Sequence, residues 1–129
     1  KLCGLRHGAG GGVELKAGSW FDGLPEELRG MITLIVSNPP YVSDGDDLPS
    51  EVAEWEPSSA LRAGADGLDD IRHIVRFAPA WLARPGVLVL EHAPDQSDAI
   101  QTLAKQAGAA DVSTHPDLTG RLRCTVAKW

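Results

Sequence analysis

Positive charge is in short supply in this chain. Lys and Arg number 12 against 18 Asp and Glu, giving a net charge of −6 and a pI near 5.1. A protein built to cover a phosphate backbone usually carries a basic face. The balance argues against that class, though it leaves room for a small basic patch. Cysteine is also scarce: Cys3 and Cys124 stand at opposite ends. They have neither metal-ligand spacing nor the density of a disulfide framework. They read as unpaired thiols of a reducing cytosol, so the expected location is cytoplasmic. No apolar run approaches membrane-spanning length. No basic stretch followed by an apolar region opens the chain, so no signal peptide is visible. Internal repeats and low-complexity tracts are missing as well. The first residue is Lys rather than Met, in what reads as mid-domain sequence.

What is present suits one globular domain. The 129 residues are 43% apolar, enough to bury a core. Val13-Glu14-Leu15-Lys16 alternates like a short strand stopped by Gly18. Pro25 to Leu28 suits a helical turn. Ile32-Thr33-Leu34-Ile35-Val36 is an apolar, β-branched run, the pattern of a strand buried on both faces of a parallel sheet. Residues 43–65 are rich in Asp, Ser, Pro and Gly and read as a long, functional loop. A helix is expected from about Asp66, its N-cap, with Asp69 in the first turn. Leu68, Ile71, Ile74, Val75, Ala78 and Leu82 keep its apolar spacing, and Pro79 should kink or end it. Arg84-Pro85-Gly86 reads as a stop, and Gly86 to Leu90 as a second buried strand. A second helix, capped by Asp95, places Ile100, Leu103, Ala104 and Ala107 on one face and ends at Gly108. Two short strands, near Val112 to Thr114 and from Leu122 to Lys128, complete an α/β pattern. The short turn between them makes them antiparallel.

The chemistry concentrates in Asn38-Pro39-Pro40-Tyr41, directly after the first buried strand. Open α/β sheets place ligands at the carboxyl ends of their strands. Consecutive prolines offer carbonyls held in fixed directions and no N–H donors, and the Asn38 side-chain oxygen adds an acceptor. That set suits a planar NH2 group, which presents donors in its plane. Two hydrogen bonds would leave the nitrogen lone pair facing an electrophilic methyl, and the Tyr41 ring would stack on the flat group. Orientation and localisation of the lone pair then supply the rate gain, with no strong base needed before transfer. The plainer alternative is a loop with two turn prolines.

The glycine run Gly8-Ala9-Gly10-Gly11-Gly12 matches a phosphate-loop pattern superficially. A working loop follows a strand and opens a helix. This run precedes a strand, with no buried strand before it, and reads as a turn. Glu56 and Asp66 suit either orientation of a substrate loop or capping of turns. Glu91 is expected to be a structural hydrogen-bond acceptor. His7, His73, His92 and His115 are scattered and are expected at the surface or in loops, so no metal site is proposed. Trp81 should be core; Trp55 either packs or covers substrate. Arg121 and Arg123 read as solvated charges.

From about Val13 to Val126 the chain resembles the HemK/PrmC-type methyltransferases, which methylate the side-chain amide of a glutamine in peptide-chain release factors. Asn-Pro-Pro-Tyr alone is shared with nitrogen methyltransferases of DNA adenine and RNA. The more specific blocks are Glu56-Pro57-Ser58-Ser59-Ala60-Leu61, Gly64 to Asp69 with Arg72, Leu90-Glu91 with Gln96, and Asp117-Leu118-Thr119-Gly120-Arg121. The resemblance implies a class I (Rossmann-like) sheet using S-adenosylmethionine as cofactor, with a release factor as protein partner. It implies that Asn38 contacts both cofactor and substrate, that Pro39, Pro40 and Tyr41 line the glutamine pocket, and that Trp20 lies beside the adenine. Family members have Asp where this chain has Ser19, and Ile-Gly where it has His92-Ala93. Their cofactor glycine turn, ribose-binding acid and N-terminal helical domain lie upstream of the segment matched. Residues 1–129 therefore correspond to a partial catalytic domain, expected alone neither to bind S-adenosylmethionine usefully nor to methylate. Strand Val13 to Lys16 would have to detach from the sheet, or the sheet would have to pair differently. Two rivals stay open: a methyltransferase acting on RNA or DNA bases, and a catalytically silent domain.

The charge balance predicts weak binding to duplex DNA even at low salt, with a shallow salt dependence. A binding titration from low to moderate salt checks this; a steep slope would favour the base-methylating rival.

Overall fold

The computed structural model describes residues 2–6, 11–43 and 64–129. Trp55, Glu56, His7 and most of the expected long loop lie outside the described residues. The elements are β1 (Leu2–Arg6), β2 (Val13–Ala17), a 3-10 turn (Glu26–Leu28), β3 (Ile32–Ser37), α1 (Asp69–Trp81), β4 (Leu82–Glu91), a second 3-10 turn (Pro94–Gln96), α2 (Ser97–Gln106), β5 (Asp111–Pro116) and β6 (Leu122–Lys128). β3, β4, β6 and β5 form one mixed sheet in that order. β3 and β4 run parallel, with α1 in the crossover between them. β6 is antiparallel to both of its neighbours.

Apolar periodicity is what holds this together. Ile71, Ile74, Val75 and Ala78 form the buried stripe of α1, and Ile100 and Ala104 that of α2. Both stripes meet Leu88, Leu90 and Ala127 of the sheet in one core. Full burial of each such aliphatic chain is worth about 1.5–3 kcal/mol. Gly108 takes the left-handed backbone, at φ +91°, that ends α2. Trp81 is buried as expected; its ring stacks on Phe21 at 6.0 Å, and the Arg29 guanidinium lies 4.6 Å from its centroid.

Several boundaries and exposures differ from the sequence reading. β3 is not buried on both faces, since Leu34 and Val36 are 54% and 68% exposed. The reason is its place: it is the edge strand of the four-stranded sheet, and both helices pack on the opposite face. β2 has left the main sheet and pairs antiparallel with β1, a strand the sequence pattern does not announce. In sequence the glycine run falls between two antiparallel strands, and no helix follows it before β2. β4 starts at Leu82 instead of Gly86. Its pairing with β3 jumps from Ile32–Leu82 to Leu34–Val87, so Arg84-Pro85-Gly86 interrupts the register without ending the strand. α1 begins at Asp69, not Asp66, and runs two residues past Pro79. α2 begins at Ser97 behind a 3-10 turn that contains Asp95, so Asp95 is not its cap.

His92 is the plainest correction. It does stand in the loop after β4, one of the two places expected, but it is fully buried there rather than at the surface. Its Nδ1 lies 2.8 Å from the Ala93 carbonyl, which only accepts, so Nδ1 carries the proton. Nε2 lies 2.8 Å from Thr125 Oγ1, a hydroxyl able to donate or accept. Thr114 and Gln101 extend this polar line by bonds of 3.1 and 2.9 Å. Satisfied polar partners make the burial affordable.

The β5–β6 turn is organised by Asp117. One carboxylate oxygen accepts from Thr119 N–H at 2.8 Å, Thr119 Oγ1 at 2.6 Å and Arg121 N–H at 3.2 Å. These bonds, the Thr119 hydroxyl foremost, pull the Asp117 pKa from 3.8 down to about 2. A depressed carboxylate stabilises the fold above its unfolded pKa and ceases to do so as pH falls through the folded one. Asp117→Ala is therefore expected to lower Tm at neutral pH. The difference from wild type should close as pH drops from about 4 toward about 2. Thermal unfolding across that range measures it; a difference independent of pH would contradict the assignment.

Candidate active site

The site grows from the ends of the two parallel strands. β3 delivers Asn38, Pro39, Pro40 and Tyr41 immediately beyond Ser37; β4 ends at Glu91 on the neighbouring strand. Asn38 is exposed, both prolines are buried, and Tyr41 is half-buried against the core. The one motif thus presents an open amide in front of a packed base.

Tyr41 is fastened at both ends. Its hydroxyl donates to Glu91 Oε1 at 3.2 Å, which gives Glu91 the expected role of structural acceptor. Its backbone carbonyl accepts from Gln96 Nε2 at 2.8 Å. Burial pushes the Tyr41 phenol pKa up, and the Glu91 carboxylate pushes it further, while the Arg123 guanidinium opposes both. Arg123 is half-buried rather than freely solvated; it reaches Asp117 and the His92 carbonyl, each at 3.5 Å. Cys124 is a free thiol whose pKa is raised by burial and then by Glu91.

The stretch leading into α1 closes the other side. Asp66 accepts from Leu68 N–H at 3.1 Å and from the Arg72 guanidinium at 3.0 and 2.5 Å. It caps a turn ahead of the helix and is held below the usual carboxylate range, chiefly by Arg72. Gly67 follows at φ +72°, a left-handed conformation that suits glycine. A Cβ there would fall against the Tyr41 carbonyl oxygen and 2.7 Å from Gln96 Nε2. Only a residue without a side chain lets these three segments meet.

Trp20 sits in the turn after β2 with a left-handed backbone of φ 54°, a conformation that costs a non-glycine residue roughly 1–2 kcal/mol. Its indole N–H donates to Asp70 Oδ1 at 3.0 Å, in the first turn of α1, and the ring packs against the core. Trp20 and the acceptor motif are therefore tied to adjacent parts of one segment, residues 66–70. The sequence brings Asn38 and Tyr41 forward through the chemistry of their motif, and Trp20 through the family resemblance alone. It assigns no partner to Gln96, which stands 55 residues from Tyr41. The only sequence signals for Gln96 and Gly67 are their places in the family-like blocks.

The chain aligns over nearly all of its length with curated proteins. It is 44% identical over 118 residues to a release factor glutamine methyltransferase of Pseudomonas aeruginosa, covering 91% of this chain and 42% of that protein. It is 44% identical over 118 residues to one of Cereibacter sphaeroides, covering 90% and 41%. For one of Xylella fastidiosa the identity is 43% over 126 residues, covering 97% and 43%. This chain is a relative of the release factor glutamine methyltransferases. The chain spans about two-fifths of the length of these methyltransferase relatives. No family model matches it. Among the described residues, no helix is long and apolar enough to cross a membrane.

Because Tyr41 is the only tyrosine, its phenolate absorbance reports this site alone. In the 129-residue chain the phenol should titrate above its ordinary value of 10.0, and Glu91→Gln should move the midpoint down. A spectrophotometric titration measures both midpoints. An unchanged midpoint would show that the Glu91 contact does not exist in solution.

Proposed function

We propose that residues 1–129 form the later part of a methyltransferase catalytic domain. Its reaction carries a methyl from S-adenosylmethionine to the side-chain amide nitrogen of a glutamine in a peptide-chain release factor. The observation that carries this reading is the coincidence of two facts. Asn38-Pro39-Pro40-Tyr41 stands at the carboxyl end of a parallel strand pair, and relatives 43–44% identical to this chain over 118–126 aligned residues are named release factor glutamine methyltransferases. The parallel β3–β4 pair with its crossover helix supports a class I, Rossmann-like sheet, with further strands expected beside β3.

The residues present fit one wall of a cofactor pocket. Asn38 is exposed at the strand end and Trp20 offers an aromatic face beside α1. By the family resemblance, Trp20 would lie beside the adenine and Asn38 would touch both cofactor and substrate. When bound, S-adenosylmethionine supplies a methyl group activated by its sulfonium. The chain's own task is orientation. The Asn38 side-chain oxygen and a carbonyl of the proline pair accept the two N–H bonds of the glutamine amide. The planar NH2 is thereby fixed in the plane of its acceptors, and its out-of-plane electron pair faces the methyl carbon. Stacking on Tyr41 holds the flat amide against that face. A proton leaves the nitrogen only after the new N–C bond has formed, so no strong base is called for. Glu91, occupied by the Tyr41 hydroxyl, serves the ring's position.

Removing one preorganised acceptor of this kind costs about 10²–10³ in rate. In the full-length protein, Asn38→Ala is expected to lower kcat by that order while changing cofactor affinity far less. Steady-state kinetics on a glutamine-containing release factor checks this, with calorimetric titration of S-adenosylmethionine alongside. Turnover near wild type would remove Asn38 from the reaction.

A further inference from the structure

We infer that Gln96 is a positioning residue for the acceptor motif, acting through the Tyr41 carbonyl; for its kinetic consequence this rests on the methyl-transfer reading above. Gln96 ends the 3-10 turn after β4, only 6% exposed. A buried primary amide must satisfy both its oxygen and its NH2 group. Gln96 does so across three separate stretches of chain. Oε1 accepts from Ala93 N–H at 3.0 Å, which anchors the side chain to its own turn. Nε2 donates to the Tyr41 carbonyl at 2.8 Å and to the Asp66 carbonyl at 3.3 Å. One NH2 group therefore joins the end of the acceptor motif to the residue before Gly67.

The geometry leaves little freedom. Gly67 packs so closely on the Tyr41 carbonyl and Gln96 Nε2 that a β-carbon does not fit. The acceptor motif needs such an outside tie. Pro39 and Pro40 have no N–H, so two successive residues after β3 cannot bond to a neighbouring strand through donors. Tyr41 is the first residue beyond them. Fixing its carbonyl with Gln96 and its hydroxyl with Glu91 sets the end of the motif from the β4 side, and Asn38 is set by β3 at the other end. Gln96 touches no substrate in this arrangement. Its effect is on where the acceptor oxygens and the Tyr41 ring stand.

Gln96→Met keeps the length of the side chain and removes its amide. In the full-length protein this variant is expected to lower kcat by on the order of 10²-fold, the cost of a displacement of about 1 Å at a reacting pair. KM for S-adenosylmethionine should stay near wild type, because the motif's end and not the cofactor wall is disturbed. A folded variant, with wild-type Tm and wild-type kcat, would overturn the inference. A second readout needs neither activity nor a variant. In the wild-type 129-residue chain, the side-chain NH2 protons of Gln96 should exchange with solvent markedly more slowly than those of exposed Gln106, followed by NMR. Equal rates would overturn the clamp even if Gln96→Met fails to fold. Should wild type methylate no glutamine, the exchange measurement still decides the clamp, and the failure falls on the functional reading alone.

Discussion

A segment with two consecutive prolines cannot hold itself in place. Each proline lacks the N–H that would pin the chain to a neighbour, so Pro39 and Pro40 carry acceptors forward without an anchor of their own. The site depends on how the rest of the fold makes up that lack. β3 fixes the start of the segment, the core receives the two prolines, and the stretch after β4 fixes the end through Glu91 and Gln96. The donor deficit that suits the motif to the proposed NH2 acceptor is the same deficit that calls for this outside support. Gly67 belongs to the arrangement for a steric reason: a side chain there would drive apart the Tyr41 carbonyl and the Gln96 amide that hold the motif.

The local periodicities of this chain were the legible part. Ile71, Ile74, Val75 and Ala78 are buried along α1 as their 3.6-residue spacing foretells; Leu68 and Leu82, on either side of the helix, are buried as well. The Leu122–Lys128 strand and the glycine end of α2 follow equally simple local rules. The misreadings come from relations between distant segments. Ile32 to Val36 has the composition of a doubly buried strand, yet its exposure depends on what lies on its far side. His92 looks like a loop residue until Thr125, 33 positions away, supplies the partner that permits its burial. Gln96 is one polar residue among many until Tyr41 and Asp66 arrive beside it. Of the site, the motif itself was readable and its supports were not. An acceptor-rich tetrapeptide advertises its chemistry, whereas a clamp exists only in three dimensions.

One face of the sheet is only partly covered among the described residues, most openly at β3. Leu88, Leu90, Thr125 and Ala127 turn toward the helices and are buried, while Leu34 and Val36 on the reverse side are largely exposed. Val13 and Leu15 of the detached hairpin are exposed to a similar degree. Apolar surface of this extent at a sheet edge is a liability for a chain by itself. The chain spans about two-fifths of the length of the relatives it matches.

The Asn38–Tyr41 segment is proposed to accept a glutamine amide and direct one methyl to its nitrogen. Product analysis tests this most directly. The full-length protein is incubated with a release factor and isotopically labelled S-adenosylmethionine, and the modified peptide is fragmented by mass spectrometry. The account predicts a single labelled methyl on the side-chain nitrogen of one glutamine. Label on another side chain, on nucleic acid in a parallel incubation, or on nothing at all would contradict it.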